Sequence, residues 1–174
     1  MSEGDQYKFK VTLFGPGSVG KTSLILRYVK DYFSNDLKKT IGSNFLIQDT
    51  MVDDKKVRLI IWDIGGQAAF HRLRTVYFKG SNGAIGVYDV TSTQSLLKIP
   101  GWISSIKKTV KKDIPMILLG NKIDLAREVE EQEALDLAER LDLDYLETSA
   151  KTGKNVEIAF KKIARACVEN IQES

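Results

Sequence analysis

The chain is poor in several features that would each have pointed somewhere else. It has one cysteine, Cys167, so no intramolecular disulfide can form and a reducing compartment is expected. No apolar run approaches the roughly 20 residues of a membrane span. Net charge is only +3, too weak to argue for nucleic acid, and no basic-aromatic surface pattern supports it. Repeats, low-complexity tracts and linkers are absent. The opening Met1-Ser2-Glu3-Gly4-Asp5 is short and polar, so no signal peptide is expected. Ser2 stands where myristoylation needs a glycine.

What is present fits one soluble globular domain over 1–174, with 1–6 and 170–174 as flexible ends. Its 174 residues are enough to bury about 70% of the surface an unfolded chain exposes. Hydrophobic residues are 43% and charged ones 28%, as in ordinary folded domains. Strand-like runs alternate with helical ones, the pattern of a doubly wound α/β domain. The expected strands are Lys8–Phe14, Asn44–Asp49, Val57–Asp63, Ala84–Asp89, Met116–Gly120 and Tyr145–Glu147. Asp53-Asp54-Lys55 reads as a hairpin turn joining the second and third, which makes one edge strand antiparallel. Leu59–Trp62, Ala84–Val87 and Met116–Leu119 are apolar without alternation, as strands covered on both faces should be. Helical stripes run through Ala134, Leu137, Ala138 and Leu141, and through Ala159/Phe160, Ile163/Ala164 and Cys167. Cys167 is therefore expected in the core. Trp102, Ile103, Ile106 and Val110 mark a middle helix with Pro100 in its first turn.

Gly15-Pro16-Gly17-Ser18-Val19-Gly20-Lys21-Thr22 matches G-x-x-x-x-G-K-[ST], between a strand and a helix spanning Lys21–Lys30. Glycines 15, 17 and 20 allow unusual dihedrals that turn backbone N–H groups inward. The helix N-terminus adds partial positive charge where phosphates sit. Lys21 supplies a point charge to the outer phosphates, and the Thr22 hydroxyl is placed to ligate Mg²⁺. A glycine-rich turn that binds nothing is the alternative; the full eight-residue match in this context weighs against it.

Asp63 closes an apolar strand in Trp62-Asp63-Ile64-Gly65-Gly66-Gln67. Ligands bind at the carboxyl ends of strands in open α/β sheets, so this acid should lie beside the phosphates and hold Mg²⁺, directly or through water. The two glycines permit an N–H bond to a terminal phosphate, and Gln67 could orient a water for in-line attack. Asn121-Lys122-Ile123-Asp124 follows another apolar strand. An ionised Asp124 can accept from guanine N1–H and N2–H₂ together, a donor pair adenine lacks. An ordinary turn would equally place Asn, Lys and Asp there. Thr148-Ser149-Ala150-Lys151 supports the guanine reading by offering a backbone N–H to the guanine O6. Thr40 lies beside a polar, loop-like stretch from Ser34 to Lys39 and could complete Mg²⁺ coordination. On sequence pattern alone a solvent-exposed threonine is the simpler account.

Together GPGSVGKT, TIG at 40–42, WDIGGQ at 62–67, NKID at 121–124 and ETSAK at 147–151 resemble a Ras-superfamily small GTPase, most closely the Rab branch. The resemblance covers Tyr7 to Glu169 and takes in Tyr77-Phe78-Lys79-Gly80 and Val87–Thr91. It implies a P-loop G domain: a six-stranded, mostly parallel sheet with one antiparallel edge strand and helices on both faces. It implies GTP or GDP with Mg²⁺, held by Gly17, Ser18, Val19, Gly20, Lys21, Thr22 and Ser23 around the phosphates. Thr22, Thr40 and Asp63 would serve the metal. Gly66 would sense the γ-phosphate and Gln67 would be catalytic. Phe33 would stack on the guanine, with Asn121, Lys122, Asp124, Ser149, Ala150 and Lys151 holding the base. Residues about 34–42 and 65–78 would be two switch segments contacting a GTPase-activating protein, a nucleotide exchange factor and effectors. A monomer without nucleic-acid partners is expected.

The chain also departs from that pattern. Asp63-Ile64-Gly65-Gly66-Gln67-Ala68 stands where Rab and Ras proteins read D-T-A-G-Q-E, and its Ile-Gly-Gly form is similar to the Arf branch. Ala68 lacks the glutamate some exchange factors use, and Leu37 replaces a tyrosine that often covers the γ-phosphate. Gly17 carries no side chain to crowd Gln67. With Lys38 and Lys39 beside Thr40, no arginine finger acts in cis, so slow turnover is expected, on the order of 10⁻⁴ per second, rising roughly 10⁵-fold with an activator's arginine. No prenylation cysteine follows Cys167. The expected place is the cytoplasm, peripheral to a membrane if the natural C-terminus is longer. His71 reads as solvated or partner-facing rather than a base. Lys107, Lys108, Lys111 and Lys112 read as a solvated face complementing a helix C-terminus. Phe70, Leu73, Val76, Tyr77 and Phe78 offer a partly core, partly effector-facing apolar segment. A GTP-binding scaffold that barely cycles is the competing function. A P-loop kinase ranks below both, since no segment is spare for a lid.

Overall fold

The structure, a computed structural model, describes residues 6–37, 43–65 and 74–173. Thr40, Gly66, Gln67, Ala68, Phe70, His71 and Leu73 lie outside the described residues, as do Lys38, Lys39 and the 1–5 end. Six strands form one sheet: β1 (Tyr7–Phe14), β2 (Ser43–Val52), β3 (Lys55–Ile64), β4 (Gly83–Asp89), β5 (Met116–Asn121) and β6 (Asp144–Glu147). Their order is β2-β3-β1-β4-β5-β6, parallel except for the β2–β3 hairpin at one edge. This is the expected architecture. The hairpin is longer than its apolar core suggested, because pairing continues to Val52 opposite Lys55 at a two-residue turn. Asp53 makes that turn at φ 55, a conformation Asp tolerates better than most side chains.

Strand alternation sorts the core into two layers. On one face Phe9, Val11 and Leu13 of β1 and Ile85 and Val87 of β4 meet helices α1 (Lys21–Lys30) and α6 (Val156–Glu173). Tyr28 of α1 stacks on Phe160 of α6 at 4.3 Å, nearly parallel. Cys167 lies in this layer as expected, 1% exposed. Its sulfur occupies the place where a side chain on Gly83 would fall, 2.7 Å from such a Cβ. On the other face Phe14, Tyr88 and Leu118 meet α4 (Ile99–Thr109) and α5 (Glu131–Arg140). Pro100 sits in the first turn of α4, where no N–H is needed.

Two short helices carried no readable stripe. They are α2 (Arg74–Phe78) and α3 (Thr93–Leu97), the latter capped by the Ser92 side chain accepting from the Ser95 N–H. Helix α6 runs through Glu173, into the stretch expected as a flexible end. The consequence for function is positional. The carboxyl ends of β1, β3, β4, β5 and β6 open on one rim, and among the described residues the 15–22 loop, Asp63, Asn121–Asp124 and 148–151 lie along it.

Candidate functional site

The loop from β1 to α1 is built by backbone geometry that few residues accept. Gly20 caps α1 at φ 101, and a Cβ there would lie 2.3 Å from Asn121 Nδ2. Gly15, at φ 139, would bring a Cβ to 2.2 Å from the Val87 carbonyl oxygen. Only glycine satisfies both conditions. Gly17 was expected to share this role, but the positive φ beside it falls on Ser18, at 67. The N-terminus of α1 has no side-chain cap.

Lys21 is 6% exposed and donates to the carbonyl oxygens of Gly15 at 2.8 Å and Pro16 at 2.7 Å. Pro16 thus contributes an acceptor, which the sequence did not explain. Burial drives the Lys21 ammonium down to about 8; Asp63 opposes this and Arg74 adds to it. Arg74 is itself stacked on the Trp102 ring, 3.4 Å from its centroid. Two neutral carbonyls are weak company for a buried cation, and an incoming polyphosphate would supply the counter-charge.

The Thr22 hydroxyl donates to the Asp63 carboxylate, joining α1 to the end of β3. A hydroxyl and a carboxylate side by side are hard oxygen donors suited to Mg²⁺. Among the described residues no three His, Cys, Asp or Glu side chains cluster as a metal site. The donor set therefore fits an ion that draws its other ligands from phosphate and water.

The far end of the hollow is a lattice of side-chain bonds. Asn121 Nδ2 donates to the Val19 carbonyl at 3.0 Å, while its Oδ1 accepts from Thr148 Oγ1 at 3.1 Å and the Ala150 N–H at 3.3 Å. Lys122 Nζ donates to the Ser18 carbonyl at 2.7 Å. Ser149 Oγ donates to Asp124 at 2.7 Å, which orients that carboxylate. Arg27 reaches from α1 to the Ala150 and Lys151 carbonyls at 2.8 and 2.6 Å. Segments more than a hundred residues apart are fastened together in this way.

These parts enclose a cavity of about 370 Å³. Gly17, Ser18, Gly20, Lys21, Thr22, Ser23, Phe33, Asn121, Lys122, Asp124, Ala150 and Lys151 line it. Val19 and Ser149 stand behind the wall and act through the bonds just described. Asp63 sits next to it, 5% exposed. Sequence reasoning gave no lining role to Ser34, Asn35, Ile64 and Leu125; Ser34 and Asn35 fall in the first expected switch segment and Ile64 in WDIGGQ, but only the fold sets them against the cavity. Leu37 lines the opening and is 36% exposed.

A second feature lies outside the cavity. Phe45 of β2 is half exposed and packs on Trp62 of β3 at 5.2 Å, and Trp62 meets Tyr77 of α2 at 6.2 Å. The hairpin register, Phe45 opposite Trp62, creates the row. Val76 beside it is 65% exposed. A row of aromatics, half exposed at Phe45 and partly buried at Trp62 and Tyr77, is a surface suited to a protein partner.

The loop, the acid across from it and the far lattice define a P-loop nucleotide-binding domain. The Ras family profile matches residues 10–169. Ras-related protein Rab-21 of Mus musculus is 41% identical over 171 residues, covering 97% of this chain and 77% of its own length. The human Rab-21 is 40% identical over 171 residues, and Ras-related protein Rab-13 of Canis lupus familiaris 40% over 167, 82% of its length. The chain belongs to the Ras family, on its Rab branch, and is a GTP-hydrolysing enzyme.

Proposed function

We propose that this protein is a guanine-nucleotide switch acting in membrane traffic, holding GTP or GDP with Mg²⁺ in the 370 Å³ cavity. The observation that carries the reading is the meeting of Lys21, Thr22 and Asp63 at one end with Asp124 and Ala150 near the other. The Lys21 ammonium and the loop N–H groups bind the phosphates. Asp124, held by Ser149, accepts the paired donors of guanine, while the Ala150 N–H serves its O6. Phe33 covers the base from the open side. Thr22, Asp63 and Thr40 would hold Mg²⁺, which supplies charge neutralisation at the outer phosphates.

Gln67 orients the attacking water, and Gly66 reads the γ-phosphate. Phosphoryl transfer of this loose type depends mainly on positioning and charge, so a water-orienting amide suffices without a strong base. Turnover is slow until an activating protein supplies an arginine, and an exchange factor releases the product. Effectors dock on the aromatic row of Phe45, Trp62 and Tyr77. The Ile64-Gly65-Gly66 stretch, similar to the Arf form, alters how the second switch is recognised. Among the described residues no helix is long and apolar enough to cross a membrane, so membrane contact would run through partners or an attached anchor.

The test is nucleotide identity followed by turnover. Protein purified in Mg²⁺ should carry GDP or GTP and not adenine nucleotide. Single-turnover phosphate release should be slower than about one per second without a partner, and Gln67→Leu should lower it at least about tenfold. Retained guanine nucleotide with no change on Gln67→Leu would favour a scaffold that barely cycles.

A further inference from the structure

Asp89 ends β4 beside the cavity without lining it, and none of the nucleotide motifs includes it. It is 7% exposed, a depth at which a carboxylate needs partners. Its Oδ1 accepts from the Thr91 N–H at 2.8 Å and the Thr91 hydroxyl at 2.6 Å. Its Oδ2 takes the Lys122 ammonium at 2.9 Å. The Asp89 backbone is clamped in turn by Ser95, whose hydroxyl accepts from the Asp89 N–H at 2.9 Å. The carboxylate is therefore fixed before Lys122 meets it.

Lys122 has an awkward position to keep. Its φ is 72, a left-handed region that strains a lysine backbone. Its long side chain must also stay extended across the loop to donate to the Ser18 carbonyl at 2.7 Å. Ser18 sits at φ 67 itself, so both ends of this bond are held in left-handed conformations. That single bond, from the ammonium to a neutral carbonyl, must hold against the strain and the entropy of a four-carbon stem. An ion pair with a pre-set, buried carboxylate gives the half-buried ammonium a second hold. Sheet register supports it, since Asp89 lies opposite Asn121, next to Lys122.

We propose that Asp89 is a positioning residue for nucleotide retention: it holds Lys122 over the P-loop and so keeps the phosphate loop and the base-binding loop in register. It touches neither the phosphates nor the base. Its loss should therefore speed release of nucleotide and leave the chemical step alone. The inference rests on the nucleotide-binding reading given above.

The test uses the whole chain loaded with fluorescent GDP in Mg²⁺, comparing wild type, Asp89→Asn, Thr91→Val, Lys122→Met and the double variant. Asparagine can still accept from Thr91, so the turn survives while the ion pair is lost. Release from Asp89→Asn should be about ten times faster than from wild type, and from Thr91→Val within about twofold. In the Lys122→Met background the Asp89→Asn change should add less than about twofold, because its only route to the loop is gone. Single-turnover hydrolysis by Asp89→Asn should match wild type. Equal release from Asp89→Asn and wild type, or the same tenfold step in the Lys122→Met background, overturns the proposal. If Asp89→Asn does not fold, faster release from Lys122→Met that Asp89→Glu does not reproduce even in part also overturns it. Failure of the wild type to hold labelled GDP at all would instead overturn the nucleotide reading, and this inference with it.

Discussion

The two walls of the cavity are built on different terms. The wall of Asn121, Lys122, Asp124 and Ala150 is bonded to the P-loop and to α1 through Val19, Ser18 and Arg27. Asn121 alone joins three segments of chain. The wall of Ser34, Asn35 and Leu37 has a single bond among the described residues, a local one from the Asp36 N–H to Ser34 Oγ at 3.1 Å. Only Phe33 at its root packs on the core. A wall with many buried bonds resists local opening, and a wall with few follows whatever ligand is present. That asymmetry suits a switch, in which the base is gripped in both states and the phosphate side reports the difference.

The most damaging break of the fixed wall is predicted for Asp124→Asn. The amide offers one acceptor where guanine presents two donors, and its NH₂ faces a donor edge. A site built to pair such groups and then denied them loses heavily. GDP affinity by titration calorimetry should fall about 100-fold or more, with the fold intact. A loss under about threefold would mean that this wall does not read the base.

Gly20→Ala attacks the joint between that wall and the loop. The new Cβ falls 2.3 Å from Asn121 Nδ2, on a backbone at φ 101. Both faults lie in a region with no slack, so urea unfolding should show a loss of about 2 kcal/mol or more. A neutral result would show that Asn121 can yield and that the lattice is softer than it looks.

Lys21 sharpens the comparison from the inside, since it is charged, buried and answered only by carbonyls and Asp63. Folded, it gives up its proton near 8; unfolded, it keeps it to about 10.5. Between those values the unfolded chain binds more protons, so stability should rise with pH. The useful window is pH 8 to 9. Above it the Cys167 thiol, pushed up to about 12 by burial, pulls the other way, as does Tyr88. In nucleotide-free protein the gain over that window should be about 1 kcal/mol by urea unfolding, and absent in Lys21→Met. Saturating GDP should remove it, because the phosphates restore the ammonium. An unchanged slope in Lys21→Met would assign the effect elsewhere.

How much of this was legible follows the same division. Motifs that end strands could be read directly, because β1, β3, β5 and β6 each hand a loop to one rim of the sheet. Lys21, Thr22, Asp63, Asn121 and Asp124 were expected on that rim for this reason, and the structure places them there. The bonds of the fixed wall were not legible, since Arg27 meets Ala150 across 123 positions and Lys122 meets Ser18 across 104. No local pattern carries such pairings. Helix α3 was invisible because five residues make no stripe, and its Ser92 cap is seen only in the structure. The row of Phe45, Trp62 and Tyr77 needed the hairpin register, which apolar alternation bounded only loosely.

The smallest effect should come from the open wall. Leu37 is 36% exposed and borders the cavity, with no hydrogen bond to another of the described residues. Leu37→Ala should change stability by less than about 0.5 kcal/mol, as surface truncations do. Release of labelled GDP should shift by about twofold at most if, as proposed, the other wall holds the base and inner phosphates. The GTP-bound state is the sharper measurement, since any cover Leu37 gives lies toward the γ-phosphate side. A tenfold acceleration of GDP release from this one exposed side chain would put the grip on the nucleotide in the sparsely bonded wall. The lattice of Asn121, Lys122 and Arg27 would then be scaffolding for the fold, and the assignment of fixed and responsive walls would have to be exchanged.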